Sequence, residues 1–352
     1  MNQSKENFII SEDIDYLLSQ KLDWNALANK TILISGGGGF LASYLIKTLL
    51  RASEQMDLGL KVICLVRNMN KLSRLSGLEK SKNFLLIKHD ITQPLSESLE
   101  RSDYVIHAAS NASPKYYGID PVGTLLANTA GCQHMLDYSV RSKADKFLFF
   151  SSSEVYGEPI DQNKFLTEGD FGYLDPMNVR SCYAESKRLG ETMCASWSSQ
   201  FGLNTTVVRP FHTYGPGMYL DDGRVFADFV SNIVDSKNII LKSDGSSVRA
   251  FCYIRDATEG LIQLLLKGES GAAYNLGNPS QETSMKDLAL MLCDVFPERK
   301  LSLEFSKEAN SNSYIKSKVN RSVPNIAKLQ ALGWSPCIDL REGFKRTVMS
   351  YE

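Results

Sequence analysis

The stretch Thr31-Ile32-Leu33-Ile34-Ser35-Gly36-Gly37-Gly38-Gly39-Phe40-Leu41-Ala42 decides the fold. Its first five residues are an apolar run typical of a buried strand, and the apolar spacing from Phe40 to Ala52 predicts a helix. Four glycines alone are compatible with a flexible loop, but their position between a strand and a helix favours a phosphate-binding turn. There the backbone can approach a pyrophosphate, and the helix amino terminus offers free N–H groups. The residues expected around the phosphates of a dinucleotide are Gly36, Gly38, Gly39, Phe40 and Leu41.

Further apolar runs alternate with helical segments along the first two thirds of the chain. Continuous apolar runs are typical of parallel strands that are buried on both faces. Between them lie segments with helical spacing, such as Val122 to Arg141. The alternation predicts an α/β fold, a Rossmann-type doubly wound parallel sheet. The predicted strands after the first are residues 61–66, 84–87, 104–108, 146–150 and 205–209.

Three regions of the sequence differ in apolar periodicity and in their content of glycine, proline and aspartate. Residues 1–30 are predicted to be an N-terminal helical extension, with an amphipathic helix from Asp13 to Lys21. Residues 31–210 are predicted to form the dinucleotide-binding domain. After Pro210, glycine, proline and aspartate punctuate shorter elements. Residues 211–352 are therefore expected to form mainly a smaller α/β substrate-binding lobe at the carboxyl side, with segments that return to the first domain.

Composition excludes several classes of function. The 352 residues carry a net charge of −1, so no general basic field is available to bind nucleic acid or an anionic membrane. The seven cysteines are scattered without a CxxC spacing, which disfavours both a disulfide framework and a metal site. No apolar run is long enough to span a membrane. We expect a protein of the cytoplasm without a bound metal.

Two polar segments carry the predicted chemistry. The first is Ser151-Ser152-Ser153-Glu154-Val155-Tyr156-Gly157, and the second is Tyr183-Ala184-Glu185-Ser186-Lys187. A lysine one helical turn from a tyrosine, together with the positive nicotinamide ring, is expected to lower the pKa of the phenol, so that Tyr183 can act as a base. Ser152 would share the hydrogen bond of a substrate hydroxyl. Together with Lys187, these residues predict proton transfer coupled to hydride transfer onto a nicotinamide.

The ends of the other strands suggest how a dinucleotide would be bound. Arg67 follows the second strand, where an arginine can pair with a 2′-phosphate, which slightly favours NADP over NAD. The alternative is a solvated Arg67 with NAD bound. Asp90 and Ile91 follow the third strand, at the place expected for adenine. Ala108, Ala109 and Ser110 follow the fourth strand and provide small residues beside the cofactor.

Gly36-x-x-Gly39, Asp90, Ser152 and Tyr183-x-x-x-Lys187 together resemble the extended short-chain dehydrogenase/reductase family, which modifies nucleotide-diphosphate sugars. Within this family the UDP-glucuronate decarboxylases are the most similar. Two positions depart from that branch besides Arg67: His212 replaces an asparagine, and Gly217 replaces an arginine.

The resemblance implies roles for further residues. The sugar would be oxidised at C4, and Glu154 would then act at C5 or hold the ring. Pro210 would lie beside the cofactor. The residues implied in substrate binding are Lys115, Ser153, His212, Arg224 and Arg249. A homodimer joined through the helices of Val122 to Arg141 and Tyr183 to Gln200 is also implied, as is a role in polysaccharide biosynthesis.

Other reactions stay open for these residues. A nucleotide-hexose 4,6-dehydratase, a C4 epimerase or a 4-ketoreductase would use the same couple of Tyr183 and Lys187. A non-catalytic nucleotide-sensing protein on this fold would be expected to lose one of the two while it keeps the glycines. Both residues are present, which favours an enzyme.

Overall fold

The computed structural model describes residues 7–70, 72–161, 163–306 and 319–352. The helices are α1 (Phe8–Ser19), α2 (Phe40–Gln55), α3 (Lys115–Ile119), α4 (Pro121–Asn128), α5 (Ala130–Ser142), α6 (Ser181–Phe201), α7 (Val225–Val234), α8 (Ile254–Lys267), α9 (Met285–Val295), α10 (Ala327–Gln330) and α11 (Leu340–Met349). The strands are β1 (Thr31–Ser35), β2 (Lys61–Val66), β3 (Phe84–Lys88), β4 (Tyr104–His107), β5 (Lys146–Phe150), β6 (Thr205–Pro210), β7 (His212–Tyr214), β8 (Ile239–Leu241), β9 (Val248–Tyr253), β10 (Ala272–Leu276), β11 (Glu282–Ser284), β12 (Leu303–Phe305) and β13 (Arg321–Ser322).

A seven-stranded parallel sheet forms the centre of the molecule. Its strand order is β10-β6-β5-β4-β1-β2-β3, so the direction in which successive strands are added to the sheet reverses between β1 and β4, although the strands are parallel. All five residues of β1 are buried, because helices cover both faces of the sheet. The predicted Rossmann-type α/β fold is confirmed. In such a sheet, ligands bind beyond the carboxyl ends of the strands, next to the point of reversal.

The two outer strands differ from the sequence prediction. β3 is not buried on both faces, because it lies at the edge of the sheet and Leu85 is half exposed. The other outer strand, β10, was not predicted at all. Its sequence, Ala272-Ala273-Tyr274-Asn275-Leu276, has small residues and a buried asparagine in place of a β-branched run, and it pairs in parallel with β6.

The amino-terminal helix begins earlier than predicted. It starts at Phe8 instead of Asp13, because the side chain of Asn7 accepts hydrogen bonds from the first-turn amides. Asp13 is fully buried, and its carboxylate accepts hydrogen bonds from Tyr44 and Tyr253 at 2.7 Å each. Arg346 pairs with the same carboxylate at 2.8 Å. The buried Asp13 carboxylate thus joins α1 to α2, β9 and α11. Residues 1–6 of the predicted extension lie outside the described residues.

The single helix predicted from Val122 to Arg141 is two helices. α4 ends at Asn128 and α5 begins at Ala130, with Thr129 between them at a ψ of −75°. Apolar periodicity continues through this residue, so the sequence pattern does not reveal the break. Asp120 starts α4 by accepting a hydrogen bond from the Gly123 amide at 3.0 Å.

The smaller lobe is built from residues that follow β6. β9 pairs with β7, β11 and β13 in a four-stranded sheet, and β8 pairs with β12. Tyr214 of β7 stacks on Phe344 of α11, with ring centroids 4.0 Å apart. The apolar core of this lobe is continuous with the core around α2 and α8. Among the described helices, none is long and apolar enough to cross a bilayer.

Candidate functional site

The glycine loop between β1 and α2 requires glycine at two positions. Gly36 has a φ of +70°, and a Cβ there would lie 2.5 Å from the Cα of Ala109. A Cβ at Gly37 would overlap the sulfur of Cys64. Gly39 precedes α2, and no side chain caps the first turn of that helix. Free amides beside a backbone without side chains fit the pyrophosphate of a dinucleotide.

Hydrogen bonds fix the end of β4 against the glycine loop. Ser35 donates to Nδ1 of His107 at 2.8 Å, and Nε2 of His107 donates to the Ala127 carbonyl at 3.0 Å. Burial lowers the pKa of His107 to about 3, which keeps the ring neutral in this arrangement. The amide of Ala109 donates to Ser35 Oγ at 3.3 Å. Ala108, Ala109 and Ser110 therefore lie beside the loop, where the sequence places the cofactor.

The residues predicted around the adenosine lie at the ends of β2 and β3. Arg67 and Asp90 are both exposed, whereas Ile91 is buried. Asp90 accepts hydrogen bonds from the amide and hydroxyl of Thr92 at 3.0 and 2.9 Å. The amide hydrogen bond lowers the pKa of Asp90 most, and the charge of Arg67 contributes. The ionised Asp90 carboxylate and the Arg67 guanidinium are thus close to each other at the carboxyl edge of the sheet.

Tyr183, Lys187 and Ser152 come together where β5 ends. Tyr183 and Lys187 lie one turn apart on α6, and both are almost fully buried. The Lys187 ammonium donates to the carbonyl of Phe150, the last residue of β5, at 2.6 Å. It lies 5.8 Å from the centroid of the Tyr183 ring. Ser152 lies two residues after the end of β5 and forms a hydrogen bond with Tyr183.

The lowering of the Tyr183 pKa by Lys187 together with a nicotinamide stays a prediction, and burial of the phenol opposes it. Burial raises the pKa of Tyr183 to about 12, and the hydrogen bond with Ser152 opposes only part of that rise. Burial also lowers the pKa of Lys187 to about 7, so the lysine is only partly charged near neutral pH. Sequence spacing reveals the pair but not its burial, which disfavours the charged form of both groups.

Two residues near this couple were not predicted as site residues. Arg180 pairs with Glu154 at 3.1 Å, so the carboxylate predicted to act on the sugar ring has a fixed partner. Tyr117 of α3 is buried, and its ring stacks on Tyr183 with centroids 5.1 Å apart and planes 17° apart. Arg180 directly precedes the Tyr183 segment in the sequence, but no periodicity indicates the position of Tyr117.

Lys115 and Arg224, predicted to bind substrate, connect two loops across the edge of the sheet. Lys115 donates to the Asp221 carbonyl at 2.8 Å, and Arg224 donates to the Ala112 carbonyl at 3.4 Å. The charge of Arg224 lowers the pKa of Tyr183, so this guanidinium lies near the couple. Ser153 is half-buried, in the single helical turn after Ser152.

His212 and Arg249 lie in the smaller lobe. The ring of His212, two residues after Pro210, meets Phe226 and Phe251 edge-on. Burial lowers the pKa of His212 far below its ordinary value, and Arg249 and Arg224 add to this effect. Arg249 itself donates to the Val248 carbonyl at 2.7 Å. His212 is therefore neutral at the boundary between the lobe and the sheet.

The predicted residues therefore lie at or near one edge of the molecule. The glycine loop, Arg67, Asp90, the Ala108 segment, the Ser152 segment and Pro210 all follow or end strands of the main sheet. Within the described ranges, no cluster of three or more His, Cys, Asp and Glu side chains could hold a metal ion.

The model of the NAD dependent epimerase/dehydratase family matches residues 32–277, which include the glycine loop, Ser152, Tyr183 and Lys187. The chain belongs to this family. The resemblance drawn from the motifs is confirmed, and the protein is an NAD(P)-dependent enzyme of the extended short-chain dehydrogenase/reductase type.

Relatives in this family are similar over most of the chain. UDP-glucuronic acid decarboxylase 6 of Arabidopsis thaliana is 34% identical over 317 residues, which cover 90% of this chain and 87% of the relative. UDP-glucuronic acid decarboxylase 1 of Danio rerio is 33% identical over 325 residues, which cover 92% of this chain and 72% of the relative.

Solved structures from the family share the fold. UDP-glucuronic acid 4-epimerase from Bacillus cereus, in complex with UDP-glucuronic acid and NAD, is 25% identical with a TM-score of 0.77. The comparison covers 90% of this chain and 98% of the epimerase. An epimerase from Methanothermobacter thermautotrophicus has a TM-score of 0.78 at 22% identity, covering 98% of this chain and 95% of its own, which bears on the fold alone.

Proposed function

We propose that this family member decarboxylates a nucleotide-diphosphate glucuronate after oxidising the sugar at C4. The observation that carries the proposal is the buried group of Tyr183, Lys187 and Ser152 beside the glycine loop. The extent of similarity to the decarboxylases named above supports UDP-glucuronate as the substrate. The loop geometry fits the dinucleotide on which the family depends, and a bound nicotinamide would supply the hydride acceptor at C4.

The residues of this chain would perform the proton transfer. The Tyr183 phenol would accept the proton of the C4 hydroxyl, once the charges around it lower its pKa. Lys187 is held at the Phe150 carbonyl, from which an ammonium can act on both the phenol and a ribose. Ser152 would hydrogen-bond the C4 oxygen as it becomes a carbonyl. These residues act in a nearly dry site, where each electrostatic contact is strengthened.

The second step would follow from the C4 ketone. A carboxylate at C6 is then part of a β-keto acid, and its carbon can leave as CO₂ while the electron pair of the C5–C6 bond forms an enolate that takes up a proton at C5. The hydride would then return to the C4 ketone, so the net reaction would need no external oxidant. Glu154 would act at C5 or hold the ring, and Arg180 would keep its carboxylate in place at 3.1 Å. The residues proposed around the sugar and its diphosphate are Lys115, Ser153, His212, Arg224 and Arg249.

An epimerase at C4 is the second candidate. Gly217 and His212 depart from the pattern of the decarboxylases, and the epimerase from Bacillus cereus is similar over its whole length. A dehydratase or a 4-ketoreductase would need the same couple. The proposals therefore differ in what happens after C4 is oxidised, and not in the residues that oxidise it.

The mass of the product distinguishes these reactions. The purified chain is incubated with UDP-glucuronate and with UDP-, GDP- and dTDP-hexoses, and the products are analysed by mass spectrometry. Loss of CO₂ from UDP-glucuronate is expected. Loss of water from a hexose would indicate a dehydratase, and an unchanged mass with altered stereochemistry would indicate an epimerase. No turnover of any of these sugars, with the dinucleotide still bound, would contradict the proposal.

Three finer points belong to the same proposal. The exposed side chains of Val122 and Leu126 on α4 and of Leu189 on α6 support a homodimer through these helices, and light scattering in solution tests it.

The exposed Arg67 leaves the slight preference for NADP as a prediction, which binding of both dinucleotides tests. The cysteines are free thiols, which suits the reducing cytoplasm, and imaging of a tagged chain in cells tests that location.

A further inference from the structure

Arg74 joins the glycine loop to the smaller lobe. It lies in a single helical turn, Ser73–Leu75, between β2 and β3. Its Nε donates to the Gly217 carbonyl at 2.6 Å, and its Nη1 donates to the Gly38 carbonyl at 3.1 Å. No motif in the sequence indicates this position. One guanidinium thus contacts both the glycine loop, at Gly38, and the segment that follows β7, at Gly217.

The charge of Arg74 has no anionic partner among the described residues. Its guanidinium lies 3.6 Å above the Tyr219 ring and 5.9 Å from the ring of Phe40. The charge of Asp222 also acts on Arg74, but this carboxylate pairs with Arg224 at 3.4 Å. Burial lowers the pKa of the Arg74 guanidinium, so its surroundings disfavour a charge. Arg74 is partly buried and forms no ion pair with a described carboxylate, so an anionic ligand would complete its contacts.

We propose that Arg74 binds a nucleotide diphosphate, and specifically the pyrophosphate of the dinucleotide. The contact with Gly38 and the proximity to Phe40 place the guanidinium at the amino terminus of α2, where free amides favour the same anion. A planar guanidinium pairs with phosphate oxygens through two parallel hydrogen bonds. Two carbonyl contacts hold the fork in one orientation before the ligand arrives.

The same contacts link the glycine loop to the segment that follows β7. Gly217 has a φ of +84°, and a Cβ there would meet nothing within 4 Å. A diphosphate bound by Arg74 would hold the segment after β7 against the glycine loop and slow release of the dinucleotide.

The test compares nucleotide affinities of full-length variants by calorimetry. Arg74→Gln removes the charge but keeps one amide donor at the depth of Nε, which can reach the Gly217 carbonyl, and Arg74→Met removes the charge and the donors. The matched control is Arg101→Met, an exposed arginine that precedes β4 at the opposite edge of the sheet. ADP-ribose presents the pyrophosphate of the dinucleotide, and UDP presents the diphosphate of a sugar nucleotide. We expect Arg74→Gln to weaken ADP-ribose binding about 10- to 100-fold, with UDP binding and the control unchanged.

Each other outcome bears on the assignment. Equal ADP-ribose affinity in Arg74→Gln and the wild-type chain overturns it. A loss confined to UDP overturns the dinucleotide as the source of the diphosphate. If Arg74→Met fails to fold, Arg74→Gln alone decides, because its folding is checked by circular dichroism. A wild-type chain that binds neither nucleotide would overturn the proposed function too, whereas equal binding by wild type and variant leaves that function intact.

Discussion

Replacing Lys187 with methionine is expected to stabilise the folded protein while it removes a residue that we propose to be catalytic. The ammonium is fully buried, with one hydrogen bond to the Phe150 carbonyl and no carboxylate within ion-pair distance among the described residues. Methionine has a similar length and no charge to desolvate. Functional residues often lower stability in this way, because their environment serves the reaction instead of the fold.

The magnitude follows from the pKa of Lys187, which burial lowers from 10.5 to about 7. At pH 7.5 this difference opposes folding by about 4 kcal/mol, because the unfolded chain binds a proton that the folded chain mostly lacks. Loss of the hydrogen bond to the Phe150 carbonyl costs about 1 to 3 kcal/mol. Lys187→Met should therefore raise the free energy of unfolding by about 1 to 3 kcal/mol at pH 7.5.

The change of this stability difference with pH gives a sharper test than the size of the difference at a single pH. Between pH 7 and 10.5 the unfolded wild-type chain binds more protons than the folded one, so its stability rises with pH. The variant lacks this group, and its advantage should shrink by about 2 to 3 kcal/mol between pH 7.5 and 9.5. Urea unfolding at both pH values measures the difference. Lys237→Met, at an exposed lysine, is the control and should show no such change. A constant difference between wild type and Lys187→Met would refute the assigned burial energetics.

Two further substitutions test the glycine loop and the aromatic support of the site. Gly36→Ala should abolish dinucleotide binding and destabilise the fold by about 2 to 4 kcal/mol, since both φ and the contact with Ala109 oppose a Cβ. Gly77→Ala, with a φ of +88° and open space, should cost only about 1 to 2 kcal/mol, and equal effects in calorimetry would contradict this account. Tyr117→Leu removes the ring stacked on Tyr183 and should lower kcat about 3- to 10-fold with dinucleotide affinity unchanged, whereas Tyr117→Phe should keep activity. Full activity in the leucine variant would exclude a positioning role for that ring.

The sequence predicts most of the central sheet for a simple physical reason. Parallel strands buried on both faces are continuous apolar runs, and β1, β2, β4, β5 and β6 have this pattern. The sequence does not predict β10, because its alanines and asparagine are not typical of a buried strand. The strand is nevertheless largely buried in the structure, where it pairs with β6. The break at Thr129 escapes prediction for the opposite reason, since one non-helical residue leaves the apolar periodicity intact.

Some features of the candidate site could also be predicted from the sequence, and others could not. Spacing places Tyr183 above Lys187 on one helix, and chain order places Ser152 after a strand, so this group could be predicted. The pKa of Tyr183 could not, because it depends on how completely the fold excludes water from the ring. Tyr117 lies in the short helix α3 and Arg74 in a single helical turn, and their contacts depend on how these short elements are placed, which periodicity does not encode.

The most direct test of the central claim is a rapid-mixing measurement of the absorbance of reduced nicotinamide after UDP-glucuronate is added to the dinucleotide-loaded protein. The wild-type chain is predicted to show a transient rise that decays as product forms. Tyr183→Phe should bind the dinucleotide normally but show no rise, because the C4 hydroxyl then has no proton acceptor. An undiminished rise in Tyr183→Phe, or product formed by the wild type without any rise, would contradict oxidation at C4 by this couple.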